Sequence, residues 1–143
     1  MSEILFKHII PLQLRANDVD RFGHLNNAVY FTFYDLGKTT YIENVCPDVD
    51  WEKEAIVVVD IHVNFKSQIF GTDRVAVQTT VTSIGTKSFE LVQRVVDSDS
   101  GEEKCVCRSV MVTYDLIQHK SKPISDDWVN AICLFEGKDL RKK

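Results

Sequence analysis

The chain has 143 residues, 44% of them hydrophobic and 27% charged, with a formal charge of −4. That length holds one sizeable core but not comfortably two, and no apolar run approaches the ~18 residues of a membrane-spanning helix. An acidic balance without an Arg/Lys block excludes general nucleic-acid binding, which needs a clustered basic face to neutralise phosphates.

The opening MSEILFKHIIPLQL lacks a signal peptide's basic start and small-residue cleavage site, so the expected location is the cytoplasm. Within it, Ile10, Leu12 and Leu14 recur at a period of two, which predicts a first strand. A polar loop follows over residues 17–25. From Asn26 or Asn27 to about Val45 the spacing turns helical, with one apolar row at Phe31, Tyr34, Tyr41 and Val45 and a second at Val29, Phe33 and Leu36. A helix apolar over so much of its circumference is expected to be wrapped by other elements. Asn suits its N-cap, and Gly37 inside it, which costs ~1 kcal/mol relative to Ala, points to a close approach by a neighbouring backbone.

The remainder reads as strands. AIVVVDIHVNF alternates Val59, Ile61, Val63 and Phe65 against Asp60, His62 and Asn64, and RVAVQTTV sets Val75, Val77 and Val81 on one face. SFELVQRVVD and RSVMVTYDL continue the pattern, the latter aligning Val110, Val112, Tyr114 and Leu116. IFGTD, SIGTK and DSDSGEE have turn chemistry. A second, shorter helix is expected after Pro123, with Ser125 or Asp126 as cap and Gly137 as stop. The closing LRKK, the one basic cluster, reads as a solvated tail. Four cysteines, Cys46, Cys105, Cys107 and Cys133, form no C-x-x-C pair and read as packing residues. No repeat, low-complexity segment or linker interrupts the chain, so residues 1–143 are expected to form a single α+β domain: one long helix buried against one antiparallel sheet.

The loop before the long helix gathers Asp18, Asp20, His24, Asn26 and Asn27. It ends at a helix N-terminus, where free amides and the macrodipole favour a developing negative charge. A carbonyl held there would be polarised, each well-placed donor stabilising an oxyanion by ~2.7–4 kcal/mol. A carboxylate brought alongside could attack an acyl carbon or deprotonate water. On chemistry alone Asp18 and Asp20 both qualify. Asp35 and Glu43 on the helix are further carboxylates, and His62 and Asn64 read as a solvated strand face. Tyr30, Phe31 and Tyr34 read first as core, with ring edges available to an acyl pocket.

The pattern R-x-x-D-x-D-x-x-G-H-x-N-N-A-x-Y over Arg15 to Tyr30 resembles the 4-hydroxybenzoyl-CoA thioesterase branch of the hotdog-fold superfamily. VDIHVNFKSQIFGTDRVAVQTTVTSIGTKSFEL and VMVTYD are similar to its later strands, so the likeness covers roughly residues 6 to 118. It implies a hotdog fold, a central helix wrapped by a five-stranded antiparallel sheet, assembled as homodimers or homotetramers with sites at the dimer interface. It implies hydrolysis of an acyl-CoA thioester with no cofactor or metal. On this resemblance Asp20 is the nucleophile or general base, the amide of Asn27 polarises the carbonyl, and His24 joins them. Asn26, Tyr30, Lys87 and Ser88 are placed against the substrate. Rival expectations are a non-catalytic acyl-binding module and an enoyl-CoA hydratase or dehydratase. DLGK on the helix and KCVC on the last long strand depart from the commoner pattern, which leaves the acyl group unnamed.

Overall fold

A computed structural model describes residues 4–142. Six strands form one antiparallel sheet: β1 (His8–Pro11), β2 (Glu54–Phe65), β3 (Val75–Ile84), β4 (Ser88–Asp97), β5 (Glu103–Asp115) and β6 (Lys120–Ser121). The order is β1-β3-β4-β5-β2, with β6 on β5. Two helices complete it, α1 (Asn27–Val45) and α2 (Asp126–Glu136). The sheet has one strand more than the five expected, and β6 is only a two-residue pairing.

Helix α1 begins where Asn26 Oδ1 accepts the Ala28 amide at 3.0 Å. It buries Tyr30, Phe33, Tyr34, Gly37, Tyr41, Ile42 and Val45 and lies over β1, β3 and β4. Phe31 and Leu36, counted with its apolar rows, are exposed, so the helix is covered by the sheet on one side and bare on the other. Gly37 marks the close approach its position predicts. A Cβ there would stand 2.8 Å from both Gln93 Nε2 and Thr79 Oγ1. Gln93 cannot swing away without breaking its bonds to the Tyr34 carbonyl at 2.8 Å and to Thr79 Oγ1 at 3.1 Å. Gly37→Ala therefore lowers stability by a net ~1–3 kcal/mol in denaturant unfolding, the overpacking cost exceeding the ~1 kcal/mol of helix propensity regained.

Helix α2 is capped by Ser125 Oγ, which accepts the Trp128 amide at 3.2 Å, and stops at Gly137 in the left-handed region with φ 79°. Its Trp128, Val129 and Ile132 close the core end around Tyr41, Ile42, Phe89 and Leu91. The Tyr41 hydroxyl donates a hydrogen bond to the buried Glu136 carboxylate at 2.5 Å, which ties α2 to α1.

Four details differ from the sequence reading. The first strand is earlier and shorter, because the ladder stops at Pro11, although Ile10, Leu12 and Leu14 do pack together on the core. In β2 the register slips between Val58 and Asp60, leaving Val59 as the extra residue of a bulge. Ile56 and Val58 thereby share a face with Ile61, Val63 and Phe65, and Val59 does not. In β5 the alternation holds, but the aligned Val110, Val112 and Tyr114 are only half-buried, and the buried face is that of Cys105, Cys107, Ser109, Met111 and Thr113. The closing LRKK is not a free tail. Leu140 is buried and its carbonyl accepts the Ile84 amide at 2.8 Å, while the Lys142 amide donates to the Ile84 carbonyl at 2.9 Å, so only the side chains of Arg141 and Lys142 are exposed; Lys143 lies outside the described residues.

Candidate active site

The loop from Arg15 to Asn26 is built by two aspartates with different duties. Asp18 is buried and accepts the Arg15 amide at 2.8 Å, with the Arg15 guanidinium at 3.3 Å. Its own carbonyl takes the Asn26 amide at 2.8 Å, so it sets the start of α1. The Arg15 amide, more than the guanidinium, holds the Asp18 carboxyl below its ordinary value. The unfolded chain thus binds a proton more readily than the native one just below pH ~4, and stability is lost as pH falls through that window. Asp18→Asn is expected to melt earlier than wild type at neutral pH, with the gap narrowing in melts taken below pH ~4.

Asp20 is exposed and its Oδ1 accepts the amides of Phe22 at 2.9 Å and His24 at 3.2 Å. Gly23 closes this turn with φ 83°, a backbone state that favours glycine, and its amide bonds the Asp20 carbonyl at 3.0 Å. Oδ1 is thus spent on the loop, and Oδ2 has no donor among the described residues. The Leu25 amide bonds the Ile69 carbonyl at 2.7 Å, which draws the segment after β2 against the loop.

Between these segments opens a cavity of about 480 Å³. Asp20, His24, Asn27 and Tyr30 line one side, and Phe65 through Ile69 the other. The His24 ring stands edge-on to Phe70 at 5.0 Å, and Tyr30 edge-on to Phe65 at 5.0 Å. Burial pushes the Tyr30 hydroxyl up to about 12, so it stays protonated. Asn27 is the first helical residue, and its amide has no carbonyl one turn earlier to bond. A carboxylate residue and the first residue of a helix therefore line one space, the pairing needed to polarise a carbonyl and attack its carbon.

The structure brings Asp20, His24, Asn27 and Tyr30 together. Asn26 spends its side chain on the helix cap and does not line the cavity. Lys87 and Ser88 lie elsewhere: Ser88 pairs with Val112 and Phe65 with Cys105, a separation of about 23 Å along β5 at ~3.3 Å per residue. Asp35 pairs with Lys38 at 2.9 Å, Glu43 accepts the Trp51 indole at 3.2 Å, and neither borders this cavity. His62 and Asn64 are exposed on the other face of β2. Phe65, Lys66, Ser67, Gln68 and Ile69 are lining residues that the sequence reading passed over as strand end and turn. The one local signal is the polar Lys-Ser-Gln run directly after an apolar strand. Cys46, Cys105 and Cys107 are buried, and desolvation raises their thiols, that of Cys107 to about 12. Among the described residues no three His, Cys, Asp or Glu side chains converge as a metal site requires, and no helix is long and apolar enough to cross a membrane.

Residues 14–132 match the family described as the thioesterase-like superfamily, a span that contains the whole cavity. The chain belongs to this superfamily. A Thermus thermophilus thioesterase solved with coenzyme A and zinc shares 25% identity with this thioesterase-like chain and covers 93% of it and 96% of itself, with a TM-score of 0.81. A 1,4-dihydroxy-2-naphthoyl-CoA thioesterase from Synechocystis, 17% identical, superposes with a TM-score of 0.76 over 88% of this chain and 95% of its own. That likeness shows the shared hotdog fold. The chloroplastic acyl-acyl carrier protein thioesterase ATL3 of Arabidopsis thaliana is 28% identical over 85 residues, 57% of this chain and 43% of the plant protein. The thioesterase-like chain thus spans less than half the length of the curated plant relatives it matches.

Proposed function

We propose that the chain hydrolyses acyl-CoA thioesters. The carbonyl rests on the Asn27 amide, and the free oxygen of Asp20 either attacks the acyl carbon or takes a proton from the attacking water. The tetrahedral intermediate collapses with loss of CoA thiolate, which His24 or solvent protonates. If Asp20 attacks, water then opens the acyl-enzyme anhydride and returns the carboxylate. The observation that carries this reading is the single cavity lined both by Asp20, whose Oδ2 has no donor among the described residues, and by Asn27 at the start of α1. Coenzyme A bound to the Thermus relative supports CoA as the thiol. Thiol release from acyl-CoAs of short, medium and long chain, and from the matching acyl-carrier-protein thioesters, tests it. Turnover of CoA substrates upholds the proposal, and background rates on every member contradict it. Four free cysteines suit a reducing compartment, and the proposed location is the cytoplasm.

The proposed working unit is a homodimer through β2. Among the described residues this strand pairs only with β5, so its other edge is unpaired, and Val57, Val58, Val59 and Ile61 along it are exposed, an arrangement that soluble proteins normally cover. Antiparallel pairing of two copies centred near Val59 sets the Glu54 end of one strand beside the Phe65 end of the other. It would bring the partner's Lys87 and Ser88 nearer to the cavity they cannot reach within one chain. Sedimentation of the wild-type chain reads both the dimer and any pairing of dimers into a tetramer.

A further inference from the structure

His24 lines the main cavity with an imidazole that no hydrogen bond orients. Asp20 Oδ1 holds its amide at 3.2 Å, but neither ring nitrogen has a partner among the described residues. A catalytic imidazole is ordinarily aimed by a third group that bonds its second nitrogen. In this chain the group beside the ring is Phe70, edge-on at 5.0 Å with the two planes at 78°.

The backbone dictates this contact. The Leu25 amide bonds the Ile69 carbonyl at 2.7 Å, the Gly71 amide bonds the Gly23 carbonyl at 3.2 Å, and between them His24 and Phe70 stand opposite each other in an antiparallel bridge. Bonds on either side and none between the two make this a non-hydrogen-bonded pair, the kind that brings facing side chains closest. Both residues are then fixed from behind. The Asp20 amide donates to the His24 carbonyl at 2.8 Å; in the same way the Asp73 amide donates to the Phe70 carbonyl at 3.0 Å, and Asp73 Oδ2 accepts the Phe70 amide at 2.9 Å. Phe70 is 46% exposed, belongs to neither core cluster and does not line the cavity. Core packing therefore does not account for its ring, and the contact with His24 does.

Resting on the thioesterase reading, we infer that Phe70 is a positioning residue, held by Asp73, that aims the His24 imidazole at the departing sulfur. Collapse of the tetrahedral intermediate breaks the C–S bond and leaves the electron pair on sulfur. The protonated imidazole gives its N–H proton to that sulfur and regains one from solvent. An alkyl thiolate such as CoA needs this proton, whereas the less basic phenylthiolate leaves without it.

The test measures kcat/KM for an acyl-CoA and for the S-phenyl thioester of the same acid, each variant being compared with wild type on the same substrate. His24→Gln is expected to lose ~100-fold on the acyl-CoA and Phe70→Leu ~10-fold, with both losses shrinking to within about threefold on the S-phenyl ester. Phe70→Tyr, which keeps the ring, should recover most of what Phe70→Leu loses. The double variant should be no slower than His24→Gln alone, because an imidazole that is absent cannot be misplaced. Asp73→Ala, which releases the Phe70 amide and keeps both rings, takes the place of Phe70→Leu in the cycle should that variant melt well below wild type. Losses that multiply in the double variant, equal losses on the two thioesters, or a wild-type rate for Phe70→Leu on the acyl-CoA overturn the inference and leave hydrolysis standing. If no thioester releases thiol, the His24 ring-proton resonances decide. Resonances displaced by the Phe70 ring current, and returned to those of a free imidazole in Phe70→Leu, uphold the positioning and sink only hydrolysis; resonances that Phe70→Leu leaves in place sink both.

Discussion

Asp20→Asn is expected to lower kcat/KM for thiol release by ~100-fold or more, with the fold left intact. The substitution separates the residue's two duties. Oδ1 holds the Phe22 and His24 amides, and an Asn carbonyl oxygen accepts those bonds as well. The other oxygen, which has no donor among the described residues, becomes an amide nitrogen that can neither attack an acyl carbon nor take a proton. Circular dichroism and melting temperature should therefore stay close to wild type while kcat falls. Asp18→Asn is the converse: its carboxylate is buried against Arg15, away from the cavity lining, so stability falls and kcat per folded molecule changes little. A variant pair in which Asp18→Asn loses activity as steeply as Asp20→Asn would mean that the loop, and not the Asp20 carboxylate, limits the reaction.

Val59→Lys is expected to split the proposed dimer and take the activity with it. Val59 is the bulged residue of β2, 59% exposed, at the middle of the strand's unpaired edge. Near a two-fold axis one substitution enters the interface twice. Like charges set against each other there cost several kcal/mol, and about 3 kcal/mol weakens association ~100-fold. An edge lysine is also a device by which natural sheets refuse further strands. Sedimentation should show wild type at twice the mass of the chain or a multiple of that, and Val59→Lys as monomer. If the partner's Lys87 and Ser88 complete the cavity, the monomer should also release thiol at least ~10-fold more slowly, losing substrate positioning. A monomeric wild type with full activity would contradict the proposed assembly.

Much of this architecture is legible in the residue pattern because local chemistry and tertiary demand agree. Asn26 is a good cap by type and caps; Gly37 is a poor helix residue and sits where two polar side chains leave no room for a Cβ. Ser125 and Gly137 bound α2 for equally local reasons. What escaped the sequence depends on partners far along the chain. Nothing in RSVMVTYDL says that Ser109 and Met111 face inward in preference to Val110 and Val112; alternation fixes the period and not the side, and hydrophobicity alone chooses the wrong one. The Val59 bulge is hidden in a run of three valines. In the site, Asp18 and Asp20 are indistinguishable by type and spacing, and only burial against Arg15 separates the structural carboxylate from the available one. Phe65 through Ile69 reach the cavity because the Ile69 carbonyl pairs with Leu25, a contact across more than forty residues of chain.

The central claim is that a thioester carbonyl lies on the Asn27 amide within reach of Asp20. The most direct measurement is the infrared carbonyl stretch of an isotope-labelled medium-chain acyl-CoA bound to Asp20→Asn, in which turnover is suppressed but the helix start is unchanged. A shift to lower frequency relative to the same thioester in water is the predicted result, because hydrogen bonding and the helix dipole weaken the C=O bond. A bound carbonyl absorbing at or above its frequency in water would contradict it, placing the reacting group away from the start of α1.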